Sequence, residues 1–488
     1  MSKYVPTIGL EIHAELKTQS KMFCSCKNDP LEKKPNINIC PICMGHPGTL
    51  PVPNETAINQ VIKVGVALGS DIAEYSKFDR KNYFYPDLPK GYQISQYDLP
   101  FCEKGSLKVF DRDIRITRIH LEEDTGRSQH AEDKSHSLVD FNRAGVPLME
   151  LVTEPDVTSD KEASEFGRQL QLILRYLAVS DADMEKGQMR VEVNISLRIN
   201  NKVQNPNAKL GTKVEVKNLN SFRVVEQAIE YEIGRQSEIL DKGEKVVQET
   251  RGWSENKQET FSQREKESAH DYRYFPEPDI PPFTFTKEDI EKLRQELPEL
   301  PQARKQRFQQ EYNLGDRQAD LLIKDKELGE YFEQVISELR TLVASEKLQR
   351  ATTLAVNYLT SDVQGLLQGV SIKSDEFAIA AENFAELMAM LAEEKISAPA
   401  AKSVLKHMFE TGADPDHIIE EQGLAQVSDI GEIDIIAKEI IAANPKAVED
   451  FGKGKENALQ FLVGQMMAKT KGAVDPETAR EILQKQIA

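Results

Sequence analysis

Residues 8 to 16 read Ile8-Gly-Leu-Glu-Ile-His-Ala-Glu-Leu16, and the fold turns on their alternation. Successive strand residues point to opposite faces, so Ile8, Leu10, Ile12 and Leu16 line one side and Glu11, His13 and Glu15 the other. Val191-Glu-Val-Asn-Ile-Ser-Leu-Arg-Ile199 repeats the scheme, with Glu192, Asn194 and Ser196 opposite an apolar row. Thr212-Lys-Val-Glu-Val-Lys217 does the same with Lys213, Glu215 and Lys217. In Ile114-Arg-Ile-Thr-Arg-Ile-His-Leu-Glu122 the alternation slips once near Thr117, which predicts a bulge, and the strand runs into Glu123-Asp124. Ser159 to Val179 reads as a helix, with Phe166, Leu170, Ile173 and Leu177 on one stripe and Ser159 or Asp160 as its cap. Strands with one apolar face, covered by a helix, predict an α+β layer with an open polar surface.

A chain of 488 residues predicts two or three domains. The prolines of Pro276-Glu-Pro-Asp-Ile-Pro-Pro282 and Leu297-Pro-Glu-Leu-Pro301 interrupt helices and ladders alike and mark a boundary. Beyond them the pattern is almost wholly helical, and a softer boundary falls near Ile396-Ser-Ala-Pro-Ala400. No stretch is apolar for long enough to span a bilayer and no signal-peptide core precedes the first strand, which predicts a cytoplasmic protein without a membrane partner. The net charge of −18 argues against a protein that coats phosphates, although a local basic path can sit on an acidic body.

Cys24-Ser-Cys26 and Cys40-Pro-Ile-Cys43 have the spacing of a closed tetrahedral zinc site, which is structural in role; unmetallated thiols are the bland alternative. Cys102 stands apart as a small buried residue. If the strands share one sheet, Glu11, His13, Glu122 or Glu123, Glu192 and Glu215 converge, and so much negative charge needs a cation. Oxygen ligands with one imidazole suit Mg²⁺ or Mn²⁺, which bridge carboxylates to phosphates, and Lys213 and Lys217 are placed to hold phosphate oxygens. No glycine-rich phosphate loop is present, so nucleotide binding would run through metal and side chains. The stretch from Ser76 to Tyr97 interleaves basic and aromatic residues, as suits a flipped base or nucleotide, or simply plugs the domain.

Seven runs together carry a closer resemblance: Ile8 to His13, Ser76 to Asp87, Gly91 to Tyr97, His120 to Asp124, Leu138 to Gly145, Glu215 to Arg223 and Asp271 to Asp279. In this order, and across essentially the whole chain, they resemble the B subunits of bacterial aspartyl/glutamyl-tRNA amidotransferases. The resemblance implies an α+β cradle with an antiparallel sheet, related to glutamine synthetase and guanidino kinases, over residues 1–293. A helical domain over 294–400 and a YqeY-like, tRNA-binding tail over 401–488 would follow. It implies that ATP phosphorylates the side-chain carboxylate of Glu-tRNA(Gln) or Asp-tRNA(Asn) and that ammonia then displaces phosphate. The A subunit, an amidase, would release that ammonia from glutamine, and the small C subunit would complete the heterotrimer.

Carried onto this sequence, the catalytic set is Glu11, His13, Glu122, Glu123 and Glu215, with Glu11, His13, Glu123 and Glu215 as Mg²⁺ ligands. Arg80, Lys81 and Lys90 join Lys213 and Lys217 as nucleotide or acceptor-end contacts, and the four cysteines match a zinc site found in some relatives. Glu192 stands where relatives carry Asp and is left outside the core site. In the tail, Lys453, Lys455, Lys469 and Lys471 are candidate contacts to the tRNA body, or ordinary capping lysines with Gly472 as the helix stop. The archaeal-type E subunit is disfavoured, since no inserted domain separates the proline-rich junction from the helices. A zinc-stapled tRNA-binding adaptor without chemistry of its own is the competing class.

Overall fold

The computed structural model describes residues 3–130, 135–199, 210–265, 272–374, 376–424, 430–470, 474 and 476–487. Contacts divide the chain into two units, 1–300 and 301–488. The first is built on one ten-stranded sheet. Its central strands are β1 (Tyr4–Glu15), β2 (Arg112–Glu123), β3 (Pro147–Thr153), β4 (Met189–Ile199), β5 (Val214–Leu219), β6 (Glu249–Ser254) and β7 (Glu259–Glu265). Across the sheet they run β7-β6-β5-β4-β1-β3-β2, and Cys102–Glu103 and Asp71–Ile72 extend the β2 edge. All of these pairs are antiparallel except β5–β6, which is parallel.

The alternation decides the packing. Ile8, Leu10, Ile12 and Ala14 are fully buried in one core with Val191, Val193, Val214, Val216, Ile119 and Leu121. Helices α1 (Glu55–Ala67), α2 (Asp160–Tyr176) and α3 (Phe222–Asp241) contribute Val61, Phe166, Leu170 and Val225 to that core. Each such Val, Leu, Ile or Phe side chain stabilises the unit by about 1.5–3 kcal/mol, and a slip of one residue in β1 would turn its own apolar row outward. Ser159 caps α2, accepting from the Glu162 amide. The expected bulge is present: Val152 pairs with Arg118 but Thr153 with Ile116, leaving Thr117 unpaired. Cys102 is buried, its thiol aimed at the Val61 carbonyl.

The second unit is helical from Pro301–Tyr312 to Pro476–Ile487. Helix Ala398–Thr411 runs through the softer boundary expected near residue 400. A separate apolar cluster from Ile433 to Leu483 gathers the last helices, including Glu456–Lys469, the helix expected between the tail lysines. Among the described residues no helix is long and apolar enough to cross a membrane.

Candidate functional site

On the polar side of the sheet, register puts charged residues in rows. Glu11 of β1 lies opposite Glu192 of β4, and His13 lies between Arg190 of β4 and Glu150 of β3, which in turn faces His120 of β2. Two groups of cation-ligating atoms result: His13, Glu122 and Glu150, and beside them Glu11, Glu192 and Glu215. Within each group the ligand atoms lie within 4.8 Å of one another. Glu11 and His13 are two residues apart, so the groups sit roughly 7 Å from each other along β1.

His13 Nε2 is 3.4 Å from Glu150 and 3.9 Å from Glu122, while His120 Nε2 is 3.2 Å from Glu150. Burial works against the charged form of His13, but the Glu150 carboxylate, with Glu192 and Glu122, outweighs it and raises the imidazole to about 9. Burial likewise opposes ionisation of Glu150, yet His120 and His13 hold it well below the usual carboxylate range. Glu11 is pushed the other way: burial raises it, and Glu150, Glu192 and Glu215 repel its charge. Asn194 donates to Glu11 at 2.8 Å, Thr250 to Glu215 at 2.7 Å and Ser95 to Glu122 at 3.1 Å, which fixes the carboxylates that would otherwise spread apart. The Nδ1 atoms of His13 and His120 are buried without a hydrogen-bond partner. Oxygen-rich donors with an imidazole, crowded and largely buried on one polar face, fit hard divalent cations.

The structure redistributes the residues expected from sequence. Glu11, His13, Glu122 and Glu215 are brought together. Glu123 is not: it neighbours Glu122 along β2 and so points through the sheet, where it accepts from Lys90 at 2.6 Å and from the Ile94 amide at 3.0 Å. Lys90 therefore meets a carboxylate, beside a cavity of about 220 Å³ lined by His46, Thr49 and Tyr92. Glu192, left outside the core site on sequence, lies with Glu11 and Glu215. Glu150 and His120 were missed. Glu150 sits in a strand buried almost throughout, where a lone carboxylate among apolar residues was the available signal.

The cations divide similarly. Arg80 is a clamp, giving Nε and Nη2 to Glu277 at 2.7 and 2.9 Å and reaching Asp279 at 3.1 Å. Lys217 pairs with Glu192 at 2.9 Å inside the acidic group, and Lys213 is exposed just ahead of β5. Lys81 faces the site from the strand Asp79–Asn82; burial opposes its charge, but Glu122, Tyr274 and Glu150 together hold the ammonium well above its ordinary value. At the far end of the face Arg190 and Arg143 share the buried Asp124 carboxylate, at 3.1 and 3.6 Å. In the tail Lys453 pairs with Glu449, Lys455 with Asp450 at 3.0 Å and Lys469 with Glu439, while Lys471 and Gly472 lie outside the described residues.

Cys24, Cys26, Cys40 and Cys43 also gather their sulfurs within 4.8 Å of one another. The hydrogen bond from the Cys24 thiol brings Cys43 down to about 5 against burial, and Lys21 adds to the effect. Lys21 is completely buried, its ammonium 3.9 Å from Cys43 Sγ and 3.2 Å from the Phe141 carbonyl. A buried ammonium is costly without an anionic neighbour. A thiolate set around a metal supplies one, so the residues fit a closed metal site.

Comparisons with known proteins agree along the chain. The family described as "GatB/GatE catalytic domain" matches residues 6–291, and the one described as "GatB domain" matches residues 330–487. The B subunit of the aspartyl/glutamyl-tRNA(Asn/Gln) amidotransferase of Dehalococcoides mccartyi is 46% identical, with 100% of this chain and 99% of that protein covered. The proteins of the same description from Carboxydothermus hydrogenoformans and Thermotoga petrophila are 44% and 46% identical, each covered over at least 99% of both chains.

Proposed function

Because the chain belongs to the family of aspartyl/glutamyl-tRNA(Asn/Gln) amidotransferase B subunits, we propose that its polar sheet face is where a tRNA-bound carboxylate is activated and amidated. The chain is part of a glutamine-hydrolysing ligase and works in a complex of several subunits. In the proposed reaction the side-chain carboxylate of Glu-tRNA(Gln) or Asp-tRNA(Asn) attacks the γ-phosphorus of ATP, ADP leaves, and ammonia then displaces phosphate to give the amide. The ammonia comes from glutamine on the amidase, or A, subunit, with the small C subunit completing the heterotrimer. The cradle is assigned to residues 1–293, the helical domain to 294–400 and the tRNA-binding tail to 401–488.

One observation carries this reading: two adjacent, largely buried groups of cation-ligating side chains on one polar sheet face, fixed by hydrogen bonds from neighbouring strands. His13, Glu122 and Glu150 would hold one Mg²⁺, and Glu11, Glu192 and Glu215 a second. Bound there, the ions supply positive charge to the phosphate oxygens as two anions are brought together. The chain's own part is positioning and charge. Asn194, Thr250 and Ser95 aim the carboxylates, and Lys81 adds a fixed cation beside Glu122 that meets charge developing on the transferring phosphoryl group. The four cysteines would hold a structural Zn²⁺ at the rim. Lys453, Lys455 and Lys469, already paired with carboxylates, would release those partners to contact the tRNA body, together with Lys471.

The test is reconstitution with the two partner subunits, supplying ATP, glutamine and each misacylated tRNA in turn. Glu11→Ala and His13→Ala should abolish amide formation while glutamine hydrolysis by the complex persists. Full amidation by either variant would remove this face from the chemistry.

A further inference from the structure

We propose that the stacked pair Tyr97–Tyr274 is a platform for a purine base, supplied by the nucleotide that carries the reacting group to the polar face. The inference rests on the proposed function, that this face works on a tRNA-bound carboxylate with ATP.

The two rings are parallel within 11°, with centroids 4.2 Å apart. They come from segments far apart in sequence, so the stack is built by the fold. Phe275–Pro276 pairs antiparallel with Asp79–Asn82, Phe275 opposite Arg80. Alternation then puts Phe275 with Arg80 on one side of this small sheet and Tyr274 with Lys81 on the other. On the first side the Arg80–Glu277 clamp locks the segments together. Tyr97, in the adjoining loop, donates its amide to Asp79 at 3.1 Å, setting the second ring against the first. A stack held at both backbones loses little entropy when a third ring joins it.

The outer ring is open. Tyr97 is 48% exposed, and Phe84, from the same basic and aromatic stretch, is 76% exposed. Rings that merely plugged a domain would be covered, whereas this stack leaves an aromatic ring open to solvent. The inner ring reaches the chemistry. Burial raises the Tyr274 phenol to about 12 against the Lys81 ammonium, with Glu122 and Glu150 adding to the rise, so this ring lies within the electrostatic reach of the first cation-ligating group. Lys81 itself sits 5.2 Å from the centre of the Tyr272 ring. An open aromatic face thus leads, through a cation, to a carboxylate cluster. That order suits a nucleotide: base, phosphate or ribose, then reacting group. Base–aromatic stacking tolerates any purine, so the adenine of the acceptor terminus and the adenine of ATP are both candidates, and the assay separates them.

In the reconstituted complex, Tyr97→Ala should raise one KM by ~10-fold or more while Tyr97→Phe, which keeps the ring, stays near wild type. A rise confined to aminoacyl-tRNA assigns the platform to the acceptor adenine, and one confined to ATP assigns it to the cofactor's base. The binding readout is 2-aminopurine, placed at the 3′ end of the tRNA or supplied as its ribonucleoside triphosphate. Stacking quenches its fluorescence, and the quench should vanish in Tyr97→Ala but remain in Tyr97→Phe. Unchanged KM values and an unchanged quench in both probes, in a variant that keeps the wild-type melting temperature, would overturn the proposal. Absence of amide formation by the wild-type complex would instead sink the underlying reading, and the quench would still report on the platform.

Discussion

Titrating Mn²⁺ into the metal-free chain from pH 6.5 to 9.5 should show an affinity that climbs about tenfold per pH unit and levels off near pH 9. The cause is His13. In the metal-free chain Glu150, with Glu192 and Glu122, raises its imidazole from 6.5 to about 9 against burial, so below that pH an entering cation must displace a proton. Glu122 and Glu150 lie below their ordinary values and are already ionised, so they add no slope here. Between pH 7 and 8 the gain is thus about tenfold, with close to one proton released per ion bound. The same rise has a stability consequence. A raised histidine pKa stabilises the metal-free fold fully below pH 6.5, and that contribution is lost as the pH climbs through 9. The interval corresponds to roughly 3 kcal/mol, a fair figure because only 14% of the side chain is exposed. Glu150→Gln removes the largest influence raising His13, so its slope between pH 7 and 9 should vanish as well as its affinity fall. Calorimetry in buffers of different ionisation enthalpy counts the protons. A flat affinity from about pH 7 to 8.5 in the wild-type chain, or no proton release, would refute this assignment of the first site.

Other consequences can be checked on single variants. Lys21→Met should lower metal retention at the four cysteines ~10-fold or more by withdrawing the charge that offsets the thiolates, seen as zinc content after dialysis or as the cobalt charge-transfer band; a neutral or stabilising effect with full zinc content would mean the thiols carry no such charge. Thr250→Val leaves Glu215 without its 2.7 Å donor and should cost ~10- to 100-fold in Mg²⁺-dependent amidation, with about 1–3 kcal/mol of stability. An unchanged Mg²⁺ dependence would place Glu215 outside the second site. Glu192→Ala should depress amidation as severely as Glu11→Ala, and near-normal activity would restore its exclusion from the site.

The period of two made the sheet readable: Glu11, His13, Glu122 and Glu215 share the polar face because their strand neighbours are apolar, although that face is largely buried and not open as the alternation suggested. The same rule separates Glu122 from Glu123, which the family resemblance alone had joined. Glu150 escaped because β3 is buried almost throughout, so no polar row advertised it. Glu192 was set aside over one methylene, yet it stands directly opposite Glu11 in the β1–β4 register. Cations were the least legible. Arg80 looked like a phosphate ligand, but its partner Glu277 lies 197 residues away, and only the folded chain tells a free guanidinium from a neutralised one. Lys21 gave no signal at all, since a lysine's burial is decided by elements that are distant in sequence.

The central claim, that this chain takes part in phosphorylating a tRNA-bound carboxylate, is tested most directly by isotope transfer. Glu-tRNA(Gln) labelled with ¹⁸O in the side-chain carboxylate is converted by the reconstituted complex, and the inorganic phosphate released is analysed by mass. Attack of the carboxylate on ATP followed by displacement with ammonia predicts one ¹⁸O in each phosphate, with the transfer lost in Glu150→Gln. Unlabelled phosphate formed alongside full yield of amide would contradict it.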